Sequence, residues 1–376
     1  MSSFVAYPPD AVALRDVRHA LVTKLRHHGD VLLTSPVFSA LKHAAPTIEI
    51  DALVYADTAP MLENHPAIAR VHTIDRAWKS AGLRAQWTGE RALLRALKSP
   101  GYDLLVHLTD HPRGLTLART LAPRYAVTRE RRDGERAWLW KRYFTHFYKL
   151  PRATPRHTVE TNLDALRRIG VEPTADDKAL VLVPSAAAQA RAQALLREHG
   201  LAPRGFVHVH PGSRWLFKCW TAAQSAELLD RLAADGHALV VTGAPDPRER
   251  ALVDAILGGV GAATRTRIVD LCGSLTLPEL AALTAQARVF VGVDSAPMHM
   301  AAAMRTPVVA LFGPSGEIEW GPWNVAARVV ASDRHPCRPC GQDGCGGGKV
   351  SECLTTLPVA RVHEAVRALA AAVPGT

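Results

Sequence analysis

Short β-branched runs separated by amphipathic helical patterns recur along this chain. That alternation commits it to parallel sheets clad by helices, because a parallel crossover needs a helix-length connection. In the first half the predicted strands are 17–25, 48–55, 70–75 and 103–109, with helices over 31–44, 90–98 and 114–121 between them. Residues 158–169 read as an amphipathic helix entered at His157 and stopped by Gly170. The pattern then restarts, with strands at 180–183, 205–210, 237–242, 267–271, 288–293 and 307–312 and helices at 221–234, 246–257, 277–286 and 296–304. A chain of 376 residues exceeds what one hydrophobic core usually supports. Two doubly wound α/β domains are therefore expected, 1–180 and 181–376, facing each other so that the carboxyl ends of their strands line a shared cleft.

Composition narrows the class. With 48% hydrophobic and 21% charged residues the chain is an ordinary globular protein. It has no apolar run near the roughly 18 residues of a membrane span and no signal-peptide pattern in its first thirty residues, so a cytoplasmic location is expected. The formal charge of +10 is concentrated in the first half. Residues 1–200 carry 29 Lys+Arg against 20 Asp+Glu (+9), and residues 201–376 carry 16 against 15 (+1). The first half is thus suited to an anionic partner: nucleic acid, a membrane surface or a phosphorylated substrate.

Chemistry is sought in loops that follow strands. The first is Arg26-His27-His28-Gly29-Asp30, where Asp30 is either a helix N-cap or a general base at the floor of the cleft. The second is His210-Pro211-Gly212-Ser213-Arg214, followed by Lys218, a strand-to-helix segment whose N–H groups and ammonium suit a phosphate. The third, Val293-Asp294-Ser295-Ala296-Pro297-Met298-His299, ends a strand and opens a helix. Asp294 is expected to cap that helix, and the following N–H groups to face a diphosphate. A weaker candidate is Gly243-Ala244-Pro245-Asp246, where Asp246 or Glu249 could accept hydrogen bonds from a ribose or base. Cys337, Cys340, Cys345 and Cys353 lie in a Gly-rich stretch with spacing C-x2-C-x4-C-x7-C, read as free thiols or as a structural zinc site. The run 136–149 mixes aromatics with Arg and Lys, as a half-buried helix does, or one lying on a membrane.

Several ordered segments together resemble the ADP-heptose:lipopolysaccharide heptosyltransferases, glycosyltransferase family 9: KLRHHGDVLLTSPVFSALK, HTVETNLDALRRIG, HVHPGSRWLFKCW, DLCGSLTLPELAALTAQARVFVGVDSAPMHMAAAM and CRPCGQDGCGGGKVSECL. The last resembles the branch that adds the third core heptose. The resemblance implies a GT-B fold of two Rossmann-like domains and an inverting transfer from ADP-heptose to the anionic inner core of lipopolysaccharide. It puts the catalytic base at Asp30 in an acceptor-side loop with Arg26, His27 and His28. Donor-phosphate contact falls to Lys218 near Gly212 and Ser213, and Leu275 lies beside adenine. Asp294, Ser295, Ala296, Pro297, Met298 and His299 line the diphosphate. No catalytic metal is required in this scheme, and the partners are the nucleotide sugar, the lipopolysaccharide acceptor and, peripherally, the inner membrane, with no nucleic acid. The family pattern has Gly-Leu where this chain has Ala296-Pro297, and the stretch from Arg214 to Lys218 is one residue longer than in some relatives. Two rivals remain at this stage: a transferase using another nucleotide sugar, and a non-catalytic nucleic-acid-binding protein.

Overall fold

In the computed structural model, which describes residues 10–130, 137–150 and 154–372, the chain separates into two units, Met1–Val183 and Pro184–Thr376. The first is built on β1 (His19–Thr23), β2 (Glu49–Tyr55), β3 (Arg70–Ile74), β4 (Leu104–His107), β5 (Tyr125–Arg129) and β6 (His146–Tyr148). Its helices are α1 (His28–Leu32), α2 (Ser35–Ala44), α3 (Leu83–Lys98), α4 (Arg113–Leu121), α5 (Ala137–Tyr143) and α6 (Thr158–Arg167). The strands pair in parallel in the order β3-β2-β1-β4-β5-β6.

The second unit repeats the scheme. It has α7 (Ala186–Glu198), β7 (Phe206–His210), α8 (Ala222–Ala234), β8 (Ala238–Val241), α9 (Pro247–Gly259), α10 (Ala262–Arg265) and β9 (Ile268–Asp270). Then come α11 (Leu277–Thr284), β10 (Val289–Val293), α12 (Ala296–Ala303), β11 (Val308–Phe312), α13 (Glu317–Trp320), β12 (Ala327–Ala331), α14 (Glu352–Thr355) and α15 (Val359–Ala372). Its parallel order, β12-β11-β10-β7-β8-β9, is the same topology, counted from β7. In each unit the strand order reverses once, between β1 and β4 and between β7 and β10, and the region beyond the carboxyl ends at such a reversal is where open α/β sheets bind ligands.

The period-2 geometry of a strand explains why these runs are apolar throughout. In β10, Val289, Val291 and Val293 join the cluster under α8, α9 and α15, while Phe290 joins the opposite one with Met298 of α12. With helices on both faces, neither side of the strand tolerates a polar residue without a partner.

Three expectations are corrected. The run 180–183 joins no sheet: Leu180 and Leu182 are buried side chains of an extended segment, and Val181 N–H donates to Ser35 Oγ at 3.0 Å. The helix expected over 31–44 is two, because Pro36 lies in the first turn of α2 and cannot donate back to α1. The run 136–149 holds α5 and then edge strand β6, with Trp140, Phe144 and Tyr148 in the core and Trp138 outside; Arg136 lies outside the described residues.

Toward the amino ends of the first sheet a buried polar triad replaces apolar packing. Tyr102 Oη donates to Asp51 Oδ2 at 2.5 Å, and His72 Nε2 sits 3.0 Å from the same oxygen. Burial pushes the Asp51 carboxyl up, but the hydrogen bonds from His72 and Tyr102 outweigh it and hold the group below the ordinary value. A carboxyl depressed in the folded state contributes stability above its unfolded pKa and loses it as pH falls through the folded one. Wild-type Tm is therefore expected to fall on acidification below about pH 4 more steeply than that of Asp51→Asn. Tyr102→Phe is expected to cost about 1–2 kcal/mol at neutral pH in denaturant melts.

Candidate functional site

The reversal point of the first unit is bridged by a lysine that the sequence reading passed over. Lys24 follows β1; its Nζ donates to Leu108 O, just beyond β4, and to Asn162 Oδ1 of α6, each at 3.1 Å. Burial lowers this amine to about 8, with the charge of Asp30 acting in the other direction. The available signal was a cation closing an apolar strand, a place where it must find buried partners.

Asp30 follows six residues later, in the first turn of α1. It is not the N-cap; that position belongs to His27, because the helix starts at His28, ahead of the expected Val31. The Asp30 side chain is 13% exposed and lies 3.7 Å from Arg26 Nε. A carboxylate left uncommitted to capping and set beside two cations stays available to a hydroxyl. Arg26 is largely exposed, and His28 Nε2 is 2.9 Å from Asp57 O, which ties this loop to the segment after β2.

In the second unit the reversal point is bridged by charge. Lys218 follows the loop after β7, and its Nζ donates to Asp294 Oδ2 at 2.6 Å, just beyond β10. Asp294 is buried and does not cap α12; the cap position is Ser295, whose hydroxyl turns back to Val293 O at 3.3 Å. The carboxylate is committed to Lys218 instead, and holds that ammonium beyond the carboxyl end of β10. Among the first residues of α12, Pro297 has no N–H and Met298 N–H is spent on Ser295 O at 3.1 Å, leaving Ser295 and Ala296 as the backbone donors to an anion. The Met298 and His299 side chains, expected along the diphosphate, are buried; Met298 packs with Phe290 and Phe312. A helix start directs backbone groups outward and its apolar side chains inward. Ser213 is also buried, and its Oγ accepts from Trp215 N–H at 3.3 Å, bracing the loop.

Glu249, a weak sequence candidate for meeting a ribose or base, is packed inside the unit. It lies in the first turn of α9, buried, accepting from Ala244 N–H at 2.9 Å and 3.7 Å from His210 Nε2. Burial raises its pKa. Behind it a polar chain crosses the core: His210 Nδ1 meets Thr242 Oγ1 at 2.8 Å, which meets His208 Nε2 at 2.7 Å, which leads to Thr284. Burial lowers His208 to about 3 and His210 to about 4, so both rings are neutral at physiological pH. The chain needs no charge and fixes the carboxyl ends of β7 and β8. A Cβ at Gly212 would meet the Glu249 carboxylate and force it to move. Gly212→Ala is expected to lower stability by about 1–3 kcal/mol in a denaturant melt, through displacement of Glu249. Asp246, by contrast, faces solvent, caps α9 through Arg248 N–H at 2.8 Å and is held down to about 2 by the Arg248 guanidinium. Leu275, half-buried, packs on the cluster containing Leu271 and Val240.

Cys337, Cys340 and Cys345 are exposed and Cys353 is buried, all as free thiols. Burial raises the Cys353 thiol. Among the described residues no three His, Cys, Asp or Glu side chains are gathered to hold a metal ion, and no helix is long and apolar enough to cross a membrane.

Two Rossmann-like units, each with charged groups at its strand reversal, follow the plan of the GT-B fold. Residues 90–350 match glycosyltransferase family 9 (heptosyltransferase). The chain is 35% identical over 300 residues to lipopolysaccharide heptosyltransferase 3 of Escherichia coli, covering 80% of this chain and 85% of that protein. The crystal structure of a family 9 glycosyl transferase from Veillonella parvula superposes with TM-score 0.79 at 23% identity, covering 96% of this chain and 99% of that one. The structure of E. coli ADP-heptose lps heptosyltransferase II gives TM-score 0.73 at 20% identity, covering 94% and 99%. The chain belongs to glycosyltransferase family 9. It is a transferase enzyme, which sets aside the non-catalytic nucleic-acid reading.

Proposed function

We propose that this enzyme transfers L-glycero-D-manno-heptose from ADP-heptose to the anionic inner core of lipopolysaccharide, adding the third core heptose with inversion at the anomeric carbon. The observation that carries the reading is the Lys218–Asp294 pair at the reversal point of the second unit, an ammonium held where a diphosphate meets the start of α12. The identity to a heptosyltransferase 3 supports the choice of sugar and position.

In this reading Asp30 takes the proton of the acceptor hydroxyl as its oxygen bonds the anomeric carbon. The bond from that carbon to the diphosphate breaks, and ADP leaves with the electron pair. Lys218 and the Ser295 and Ala296 N–H groups stabilise the charge that develops on the leaving oxygen. Gly212 gives the phosphate-side loop its close approach, and Glu249, fixed by Ala244, accepts from the ribose. Arg26, His27 and His28 present the acceptor to Asp30. The enzyme works on the cytoplasmic side, in peripheral contact with the inner membrane that anchors its acceptor.

The test is product formation from ADP-heptose and from UDP-sugars on core acceptors with and without the third heptose. Transfer is expected from ADP-heptose, onto the acceptor lacking that residue. Faster transfer from a UDP-sugar overturns the donor assignment, and transfer to the complete core overturns the position.

A further inference from the structure

The outer face of the first unit carries a surface that the transfer chemistry does not use. Helices α3, α4 and α5 pack on the same side of the sheet, contributing Leu93, Leu97, Leu117, Ala118 and Trp140 to one core cluster, which Phe144, just past α5, also joins. Their outward sides therefore form one layer. Together they hold eight Lys and Arg against a single acid, Glu90. That acid is neutralised by Arg113, whose Nη1 donates to it at 2.7 Å.

On α3 two ridges run side by side, as the helical repeat dictates. One is Leu83, Trp87 and Leu94; the other is Arg84, Arg91, Arg95 and Lys98. Leu83 is 86% exposed and Trp87 62% exposed. The four cations are exposed, and among the described residues none is ion-paired; Arg91 lies over the Trp87 ring at 5.1 Å. Between α3 and Thr120 of α4 is a hollow of about 510 Å³ walled by Arg91, Leu94, Arg95 and Lys98. The outer side of α5 continues the pattern with Trp138, 62% exposed, beside the exposed Lys141 and Arg142.

An exposed apolar ridge beside a row of unpaired cations needs an apolar phase bordered by negative charge. Water does not supply that, and a second copy of the same cationic face repels it. We propose that the α3–α5 face docks on the surface of an anionic phospholipid bilayer, with Leu83, Trp87 and Trp138 at headgroup level and a lipid phosphate seated among Arg91, Arg95 and Lys98. The docking gives a named surface to the membrane contact proposed above and rests on that reading only for its acceptor. The long axis of α3 lies along the membrane plane, because the apolar ridge runs from Leu83 to Leu94 and the cationic one from Arg84 to Lys98.

Vesicle co-sedimentation of the full chain, without donor or acceptor, tests it. Binding is expected to phosphatidylglycerol-containing vesicles, weakly or not at all to phosphatidylcholine alone, and to be reversed by high salt. Joint replacement Arg91→Gln and Arg95→Gln is expected to lower the partition coefficient about 30-fold, the product of two cationic contacts at about 1 kcal/mol each. Trp87→Ser is expected to lower it several-fold. Joint Arg265→Gln and Arg328→Gln, which remove the same charge from exposed positions of the second unit, should leave it unchanged. Equal binding to both vesicle types, equal loss in the two double variants, or binding to duplex DNA in place of vesicles overturns the proposal. Transfer to a delipidated soluble acceptor is assayed separately. Its failure sinks the proposed heptose transfer and leaves the docking surface standing, and its survival in the Arg91/Arg95 variant separates docking from folding.

Discussion

Asp30→Asn is expected to lower turnover by about 10²- to 10⁴-fold, the contribution of a positioned general base, with the ADP dissociation constant unchanged. The substitution keeps the shape of the side chain and removes only its ability to take a proton. Because Asp30 does not cap α1, the helix start is kept, and the lost attraction to Arg26 and Lys24 is expected to lower Tm only slightly. That combination separates chemistry from structure: a cap or buried-pair role would move Tm and leave turnover largely alone. Single-turnover rates and calorimetric titration with ADP read both sides. Retention of more than about a tenth of wild-type turnover would remove Asp30 from the base role.

Lys218→Ala should act on the other side of the reaction. A charge-assisted contact to phosphate is worth about 1.5–3 kcal/mol, so the ADP dissociation constant is expected to rise about 10- to 100-fold. The pair with Asp294 makes a second outcome informative. If the ammonium served only to neutralise that buried carboxylate, Lys218→Ala and Asp294→Asn would have opposite effects on Tm and neither would change nucleotide affinity. If it grips diphosphate, Asp294→Asn is expected to weaken ADP binding too, by releasing the ammonium from its position, while Lys218→Ala weakens it more. An unchanged ADP affinity in Lys218→Ala counts against the phosphate contact.

The strands of both sheets were largely legible because each is an apolar run covered on two faces, a pattern few other elements share. The short strands β5, β6 and β12 were not; β6 and β12 lie at sheet edges, which need fewer apolar residues, and His146–Tyr148 lies inside an aromatic, basic run that also suits a helix. The run 180–183 shows the converse failure: an apolar segment of strand length whose buried side chains pack without sheet pairing. Asp30, Lys218 and Asp294 stood out because loops after strands are where this architecture binds ligands. What each does was less legible. Asp30 and Asp294 both read as helix caps, and neither is one.

By itself the sequence determined the alternation of strands and helices, the doubling of that scheme, the uneven charge and the positions of the loops that carry polar groups. These are local properties, set by spacing and by residues a few positions apart. Only the tertiary structure decided that Lys24 reaches Leu108 and Asn162, that Lys218 reaches Asp294 seventy-six positions away, and that Glu249 is buried against Gly212. Those pairings follow from strand order. A parallel sheet brings together the ends of strands far apart in the chain, and no periodicity within either segment records which neighbour it will meet.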